Sequence, residues 1–200
     1  MATSEVDICN SALNMIGAST ILALTEDSKV GRICNQRYPH VRDAVFRSHP
    51  WNCLIKRTSL PADATAPDWE FAYAYTLPAD CLRVLKLEYL DSIYQVEGRK
   101  IVTDESAPLK IQYVAQITDP MQYDQLLIEA IASRLASDIS YPIIGSNTLS
   151  AQMMDIYMMK LSEARFVDAT EGMPGATENV ADAGSIQAHT FINSTFVYTH

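Results

Sequence analysis

The sequence predicts an α+β fold: a four-helix bundle with a small antiparallel β module inserted between helices 2 and 3, plus an extended C-terminal tail. Three observations point there. Apolar residues recur at three- and four-residue spacing towards both ends of the chain, the period changes to two between Trp51 and Gln116, and Thr170–His200 contains no Lys or Arg. The domain limits that follow are 1–50 and 117–169 for the bundle, 51–116 for the inserted module and 170–200 for the arm.

The first helix is expected from Ser4 to Ile16. Thr3 or Ser4 can cap it, Glu5 and Asp7 suit its positive end, and Gly17 is placed to close it. Val6, Cys9, Leu13 and Ile16 give it one apolar face. The second helix is expected to start near Thr25, with Glu26 and Asp27 in its first turn, and to end before His49-Pro50. Val30, Ile33, Cys34, Tyr38, Val41 and Val45 form its inward stripe. Pro39 costs ~3 kcal/mol in an ideal helix interior, so a kink or break is expected there. Lys29, Arg32, Arg37, Arg42 and Arg47 also lie on this segment. A five-residue step turns ~140° around a helix, so these charges spiral and form no basic face. That spread suits solvated charges and ion pairs with neighbouring subunits, with Arg37, Arg42 and Arg47 as the candidates.

The inserted module should contain strands at Asn52–Arg57, Phe71–Tyr75, Leu82–Leu87, Tyr94–Val96, Lys100–Thr103 and Leu109–Val114, joined in one place by a tight Glu97-Gly98-Arg99 hairpin. Pro61, Pro67, Pro78 and Pro108 keep the strands short. Phe71, Tyr73 and Tyr75 should share one strand face as the module's core, with Ala72 and Ala74 opposite. Trp51 and Trp69 flank the first β piece, where packing at the module junction suits them better than a sugar platform.

Helical periodicity resumes after Asp119-Pro120, an N-cap followed by proline at the first helical position. Leu127, Ile131, Leu135 and Ile139 form its apolar face, and Tyr141-Pro142 should stop it. A fourth helix is expected from Thr148 to Asp168, capped by Ser146 or Asn147, with Leu149, Met153, Ile156, Tyr157 and Ala164 facing inward. Met153, Met154, Met158 and Met159 cannot all point inward, since adjacent residues are ~100° apart on a helix. Met154 and Met158 are therefore candidates for a subunit interface. The arm ends in HTFINSTFVYTH, where Phe191, Ile192, Phe196, Val197 and Tyr198 are apolar anchors suited to adding onto a partner.

Chemistry is sparse. The net charge is −9, which disfavours a grip on nucleic-acid phosphates. The four cysteines form no CxxC pair and the histidines no HxxxH pair, so no metal or other cofactor is expected. The cysteines read as reduced and structural. There is no glycine-rich phosphate loop and no GxSxG elbow. Asp63, Asp68, Glu70 and Asp80 fall in loops of the module, which leaves a pair of glycosidase carboxylates as an alternative reading. The start lacks the regions of a signal peptide, and no apolar run approaches the ~20 residues needed to cross a bilayer. The chain therefore reads as soluble, made in the cytoplasm and without a membrane partner.

Two segments carry a family resemblance: HPWNCLIKRTSLP (His49–Pro61) and WEFAYAYTLPADCLRVLKLE (Trp69–Glu88), set between two pairs of helices. In this order the chain resembles the tail tubular protein A family of short-tailed bacteriophages, over roughly residues 4–169. The neighbourhoods of Trp51 and Tyr73–Leu85 are the most specific parts. The resemblance implies a structural virion protein and not an enzyme. It would be a head–tail adaptor, or gatekeeper, assembled in the host cytoplasm as a twelve-fold ring beneath the portal protein. Such a ring joins the portal to the tubular tail nozzle, offers a surface for tail fibres or spikes, and lets double-stranded DNA pass. The acidic balance suits a channel to which DNA must not adhere. On this reading Phe191, Ile192, Phe196, Val197 and Tyr198 are the portal-contact candidates, and Asp63, Asp68 and Asp80 the candidates for docking the nozzle or a fibre. A virion-associated polysaccharide hydrolase is the alternative function.

Overall fold

The computed structural model describes residues 4–89 and 91–171. Among them are four α-helices, α1 (Glu5–Met15), α2 (Lys29–Ser48), α3 (Gln125–Ile144) and α4 (Asn147–Glu171). Between α2 and α3 lie six strands: β1 (Ile55–Leu60), β2 (Tyr73–Thr76), β3 (Cys81–Leu87), β4 (Tyr94–Glu97), β5 (Lys100–Thr103) and β6 (Leu109–Ala115). The fold is α+β, with the strands inserted in a helical frame. No described helix is long and apolar enough to cross a membrane.

Local chemistry explains the helix ends. Ser4 and Asp7 form a reciprocal capping box at the start of α1, and Gly17 follows its end at φ +70°, a conformation that favours glycine. Thr25 does not begin α2. Ser28 caps it by accepting from the Gly31 amide, while Glu26 accepts from the Leu22 amide and the Ser28 hydroxyl and so belongs to the preceding turn. Nor does α2 break at Pro39. The carbonyl that proline leaves without a donor belongs to Asn35, an exposed residue, and Tyr38, Val41, Val45 and Phe46 anchor the helix on both sides of the proline. Asp119-Pro120 starts a single 3₁₀ turn and not α3, which is capped by Asp124 accepting from the Leu126 and Leu127 amides. Pro142 does not stop α3; Gly145 does, at φ +80°, its amide donating to the Tyr141 carbonyl. Ser146 caps α4 through the Leu149 amide.

Helix α3 is the centre of the bundle and packs against α1, α2 and α4. Its Ala130, Ala132, Ser133, Ala136, Ser137 and Ser140 are buried and small, so neighbouring helices approach closely. Their hydroxyls stay satisfied. Ser133 and Ser140 donate to carbonyls of α3 itself, while Ser137 and Ser150 donate to each other's carbonyls and tie α3 to α4. Leu127, Ile131, Leu135 and Ile139 are fully buried between these contacts, each contributing ~1.5–3 kcal/mol by leaving water.

The inserted strands form two antiparallel three-stranded sheets, β1-β6-β3 and β2-β5-β4, each with its latest-formed strand in the chain at or beside the centre. The β4–β5 hairpin is tight as expected, but Glu97 pairs with Lys100, so its loop is only Gly98-Arg99, with Gly98 at φ +58°. Tyr73 departs from expectation. Tyr75 is fully buried and Ala74 nearly so, but Tyr73 is 38% exposed, and Phe71 and Ala72 precede the strand. Both faces of β2 are covered at its middle, so the aromatic alternation marks only one core residue.

Candidate functional site

Two places combine unusual geometry with exposed or buried chemistry: the joint between bundle and module, and the end of the module distant from that joint.

At the joint, α2 ends where the chain turns into β1. Trp51 is fully buried, its indole N–H donating to the Val45 carbonyl at 3.1 Å and its ring set edge-on to His49. Asp168, near the end of α4, is 6% exposed. Its carboxylate accepts from the Asn52 amide at 2.9 Å and lies 3.1 Å from His49 Nε2, while its carbonyl accepts from the Asn52 side chain at 2.6 Å. Arg165 donates to the Ser48 carbonyl from the same helix. The result is a polar knot that holds the end of α4 to the root of the module. Burial lowers the His49 pKa below the ordinary 6.5, only partly opposed by Asp168, and Arg165 and Arg83 add to the lowering. Nothing in the local sequence marks Asp168, because its partners lie more than a hundred residues away.

At the far end, topology gathers three segments. Strands β2 and β4 begin where β5 ends, since Tyr73 and Tyr94 both pair with Thr103. The segments before β2, before β4 and after β5 therefore meet. Asp104 and Glu105 bind them together. Asp104 accepts from the Ala72 amide, the Glu105 carboxylate from the Ser92 hydroxyl, and the Glu105 carbonyl from the Tyr75 hydroxyl. This surface shows Trp69 at 77%, Ile93 at 77% and Tyr89 at 63% exposure. Glu70 has φ +71° and the Phe71 amide reaches back to the Trp69 carbonyl, which makes a strained three-residue turn that presents Trp69 outward. Beside it is a cleft of about 560 Å³ lined by Glu88, Tyr89, Ser92, Glu105 and Lys110 among others. Strain, exposed aromatics and a cleft in one place make this end the candidate contact surface.

The residues nominated from sequence are dispersed. Asp63 sits at the opposite end of the β2-β5-β4 sheet, bound to Thr76 and Lys100. The Lys100 ammonium first of all, with the Thr76 hydroxyl, holds its pKa below the usual carboxylate range. Asp80 is bound to Lys56 and Tyr113; burial pushes its pKa up, but these partners outweigh burial and leave it lowered. Asp68 and Glu70, exposed on either side of Trp69, belong to the far end. A glycosidase acid needs a raised pKa, and those of Asp63 and Asp80 are both lowered.

Trp69 is a correction too: it packs at no junction. Arg42, expected at a subunit interface, is 5% exposed and bound to Asp43 and Glu5 within the chain, because its turn of α2 faces α1. Arg37 pairs with Asp138 of α3, and Arg47 donates to the Leu82 carbonyl; both remain exposed. Met153 is buried, Met154 half-buried against the Arg134 guanidinium, and Met158 and Met159 are exposed. Phe191, Ile192, Phe196, Val197 and Tyr198 lie outside the described residues.

Burial raises the thiol pKa of Cys53 and Cys81, and a hydrogen bond with Cys34 together with burial raises that of Cys9. A nucleophilic cysteine requires the opposite shift; Cys34 has it, through the same bond to Cys9, but is fully buried. Among the described residues no cluster of His, Cys, Asp or Glu is placed to hold a metal ion. No protein-family model matches the chain, and no curated protein matches it.

Proposed function

We propose that the protein is a structural adaptor of a phage head–tail connector. It would form a ring, twelve-fold in the family it resembles, between the portal protein and the tubular tail nozzle, through which double-stranded DNA passes. One observation carries the reading furthest: the far end of the β module displays Trp69, Tyr89 and Ile93 on a hydrogen-bonded, locally strained scaffold, while the opposite end is fixed to a well-packed bundle. That is the layout of a part held in place by one end and gripped by the other. The bundle serves as the ring-forming body, the far end of the module docks the nozzle or a fibre, and the arm beyond α4 reaches the portal. The knot at Asp168 gives the arm a fixed root.

The test is electron microscopy of the protein mixed with portal rings from the virus that encodes it. An added layer of density beneath the portal supports the adaptor; bare portals at saturating protein contradict it. Release of reducing sugar from host polysaccharide by the same preparation would instead support a hydrolase.

A further inference from the structure

We propose that copies of this chain associate head to tail, the outer face of α4 of one copy lying across the open face of the β1-β6-β3 sheet of the next. The inference deepens the ring reading above but stands on two surfaces that are unpartnered among the described residues.

The first surface is on α4. Met153, Tyr157, Leu161 and Ala164 are buried on its inner side. At ~100° per residue, Met158, Asp155, Phe166, Met159 and Glu163 fall on the opposite side within an arc of ~140°. Met158, Met159 and Phe166 are 57%, 67% and 72% exposed. Asp155 and Glu163 are exposed and make no ion pair among the described residues. They stand eight residues, ~12 Å, apart along the axis with Met159 midway between them. The result is an apolar strip with a carboxylate on each flank, left uncovered by the described residues.

The second surface is the sheet. Arg57, Gln112 and Lys86 lie side by side on β1, β6 and β3, in one row across the sheet. Two strand spacings place Arg57 and Lys86 ~10 Å apart. Both are exposed and unpaired among the described residues, and Lys110 stands one row further along β6, bound to Glu88. The row borders a shallow groove of about 370 Å³. In a chain of net charge −9, this face is locally basic.

The two surfaces match in spacing and charge. Asp155 and Glu163 reach Arg57 and Lys86 when α4 crosses the strands, and Met159 then lies over Gln112. Because the surfaces differ, the contact is heterologous: it repeats, and closes into a ring when the rotation per copy divides a full turn. A two-fold pairing of α4 with α4 would bring the carboxylates of both copies together, which disfavours that alternative.

The experiment is sedimentation equilibrium of the full chain up to millimolar concentration in low salt, without portal or nozzle. Concentration-dependent association that weakens with salt is expected. Asp155→Lys/Glu163→Lys and Arg57→Glu/Lys86→Glu, both at exposed positions, should each be monomeric, and a 1:1 mixture of the two should associate again. The milder Asp155→Asn/Glu163→Gln should weaken association by up to about fivefold per charge pair. A wild-type chain that stays monomeric overturns the proposal. So does self-association lost only with the α4 changes, which would mean α4 pairing with itself, or variants that associate as wild type. Association without portal binding would sink the adaptor and leave this contact standing; the reverse result would do the opposite.

Discussion

The bundle and the far end of the β module treat apolar side chains in opposite ways. Along the inward face of α3, Leu127, Ile131, Leu135 and Ile139 are fully buried, and the serines among them satisfy their hydroxyls on neighbouring carbonyls. At the module's far end Trp69, Tyr89 and Ile93 face solvent, and the hydrogen bonds of Asp104 and Glu105 are spent on holding the backbone that carries them. One region uses its apolar area for stability and the other leaves it available to a partner. Substitutions should therefore separate stability from binding according to where they fall.

The largest effect is expected at the joint. Trp51→Ala removes a fully buried ring and its hydrogen bond to Val45, and should destabilise by ~3–5 kcal/mol in chemical denaturation followed by circular dichroism. Asp168→Ala leaves the Asn52 amide and His49 without their acceptor and should cost ~2–3 kcal/mol by the same measurement. If either change is nearly neutral, the joint is not what fixes the module to the bundle.

The pH dependence of stability is a finer probe of the same place. The folded chain lowers the His49 pKa, so above the ordinary 6.5 the imidazole is neutral in both states and costs nothing. As pH falls through 6.5 the unfolded chain takes up the proton first, and stability is lost until the folded value is passed. His49→Gln should flatten this part of the profile, measured by midpoints of urea unfolding between pH 7.5 and 5.

At the far end the expected effects on stability are small and of the other sign. Glu70→Gly relieves the positive φ and should raise stability by up to ~1 kcal/mol, the gain being offset in part by the freer unfolded chain. Trp69→Ser should change it by less than ~0.5 kcal/mol, since 77% of the residue is already in water.

The elements were legible in sequence wherever burial is one-sided. Alternation gave the strand Leu109–Val114 to within one residue, and three- and four-residue spacing gave α1 and α4 within a turn. Boundaries failed where two capping signals compete. Thr25 and Ser28 both look like caps, and the turn held by Glu26 decides for Ser28. Proline failed as a break at Pro39 and as a stop signal at Pro142, because tertiary packing outweighs one lost hydrogen bond. Tyr73 was misplaced because a short strand covered on both faces has no true period-two signature. The loop acids drew attention in sequence, but Asp63 and Asp80 are half-buried in ion pairs away from Asp68 and Glu70. Asp168 and the gathering of Trp69, Tyr89 and Ile93 are products of topology alone, and no local pattern announces them.

The most direct test is sedimentation velocity of the protein with the nozzle protein of the same virus, comparing wild type with Trp69→Ser/Ile93→Ser. A nozzle complex formed by the wild type and lost in the variant, with the variant's unfolding midpoint unchanged, is the expected result. A variant that binds the nozzle as tightly as wild type would contradict the assignment of docking to the far end of the module.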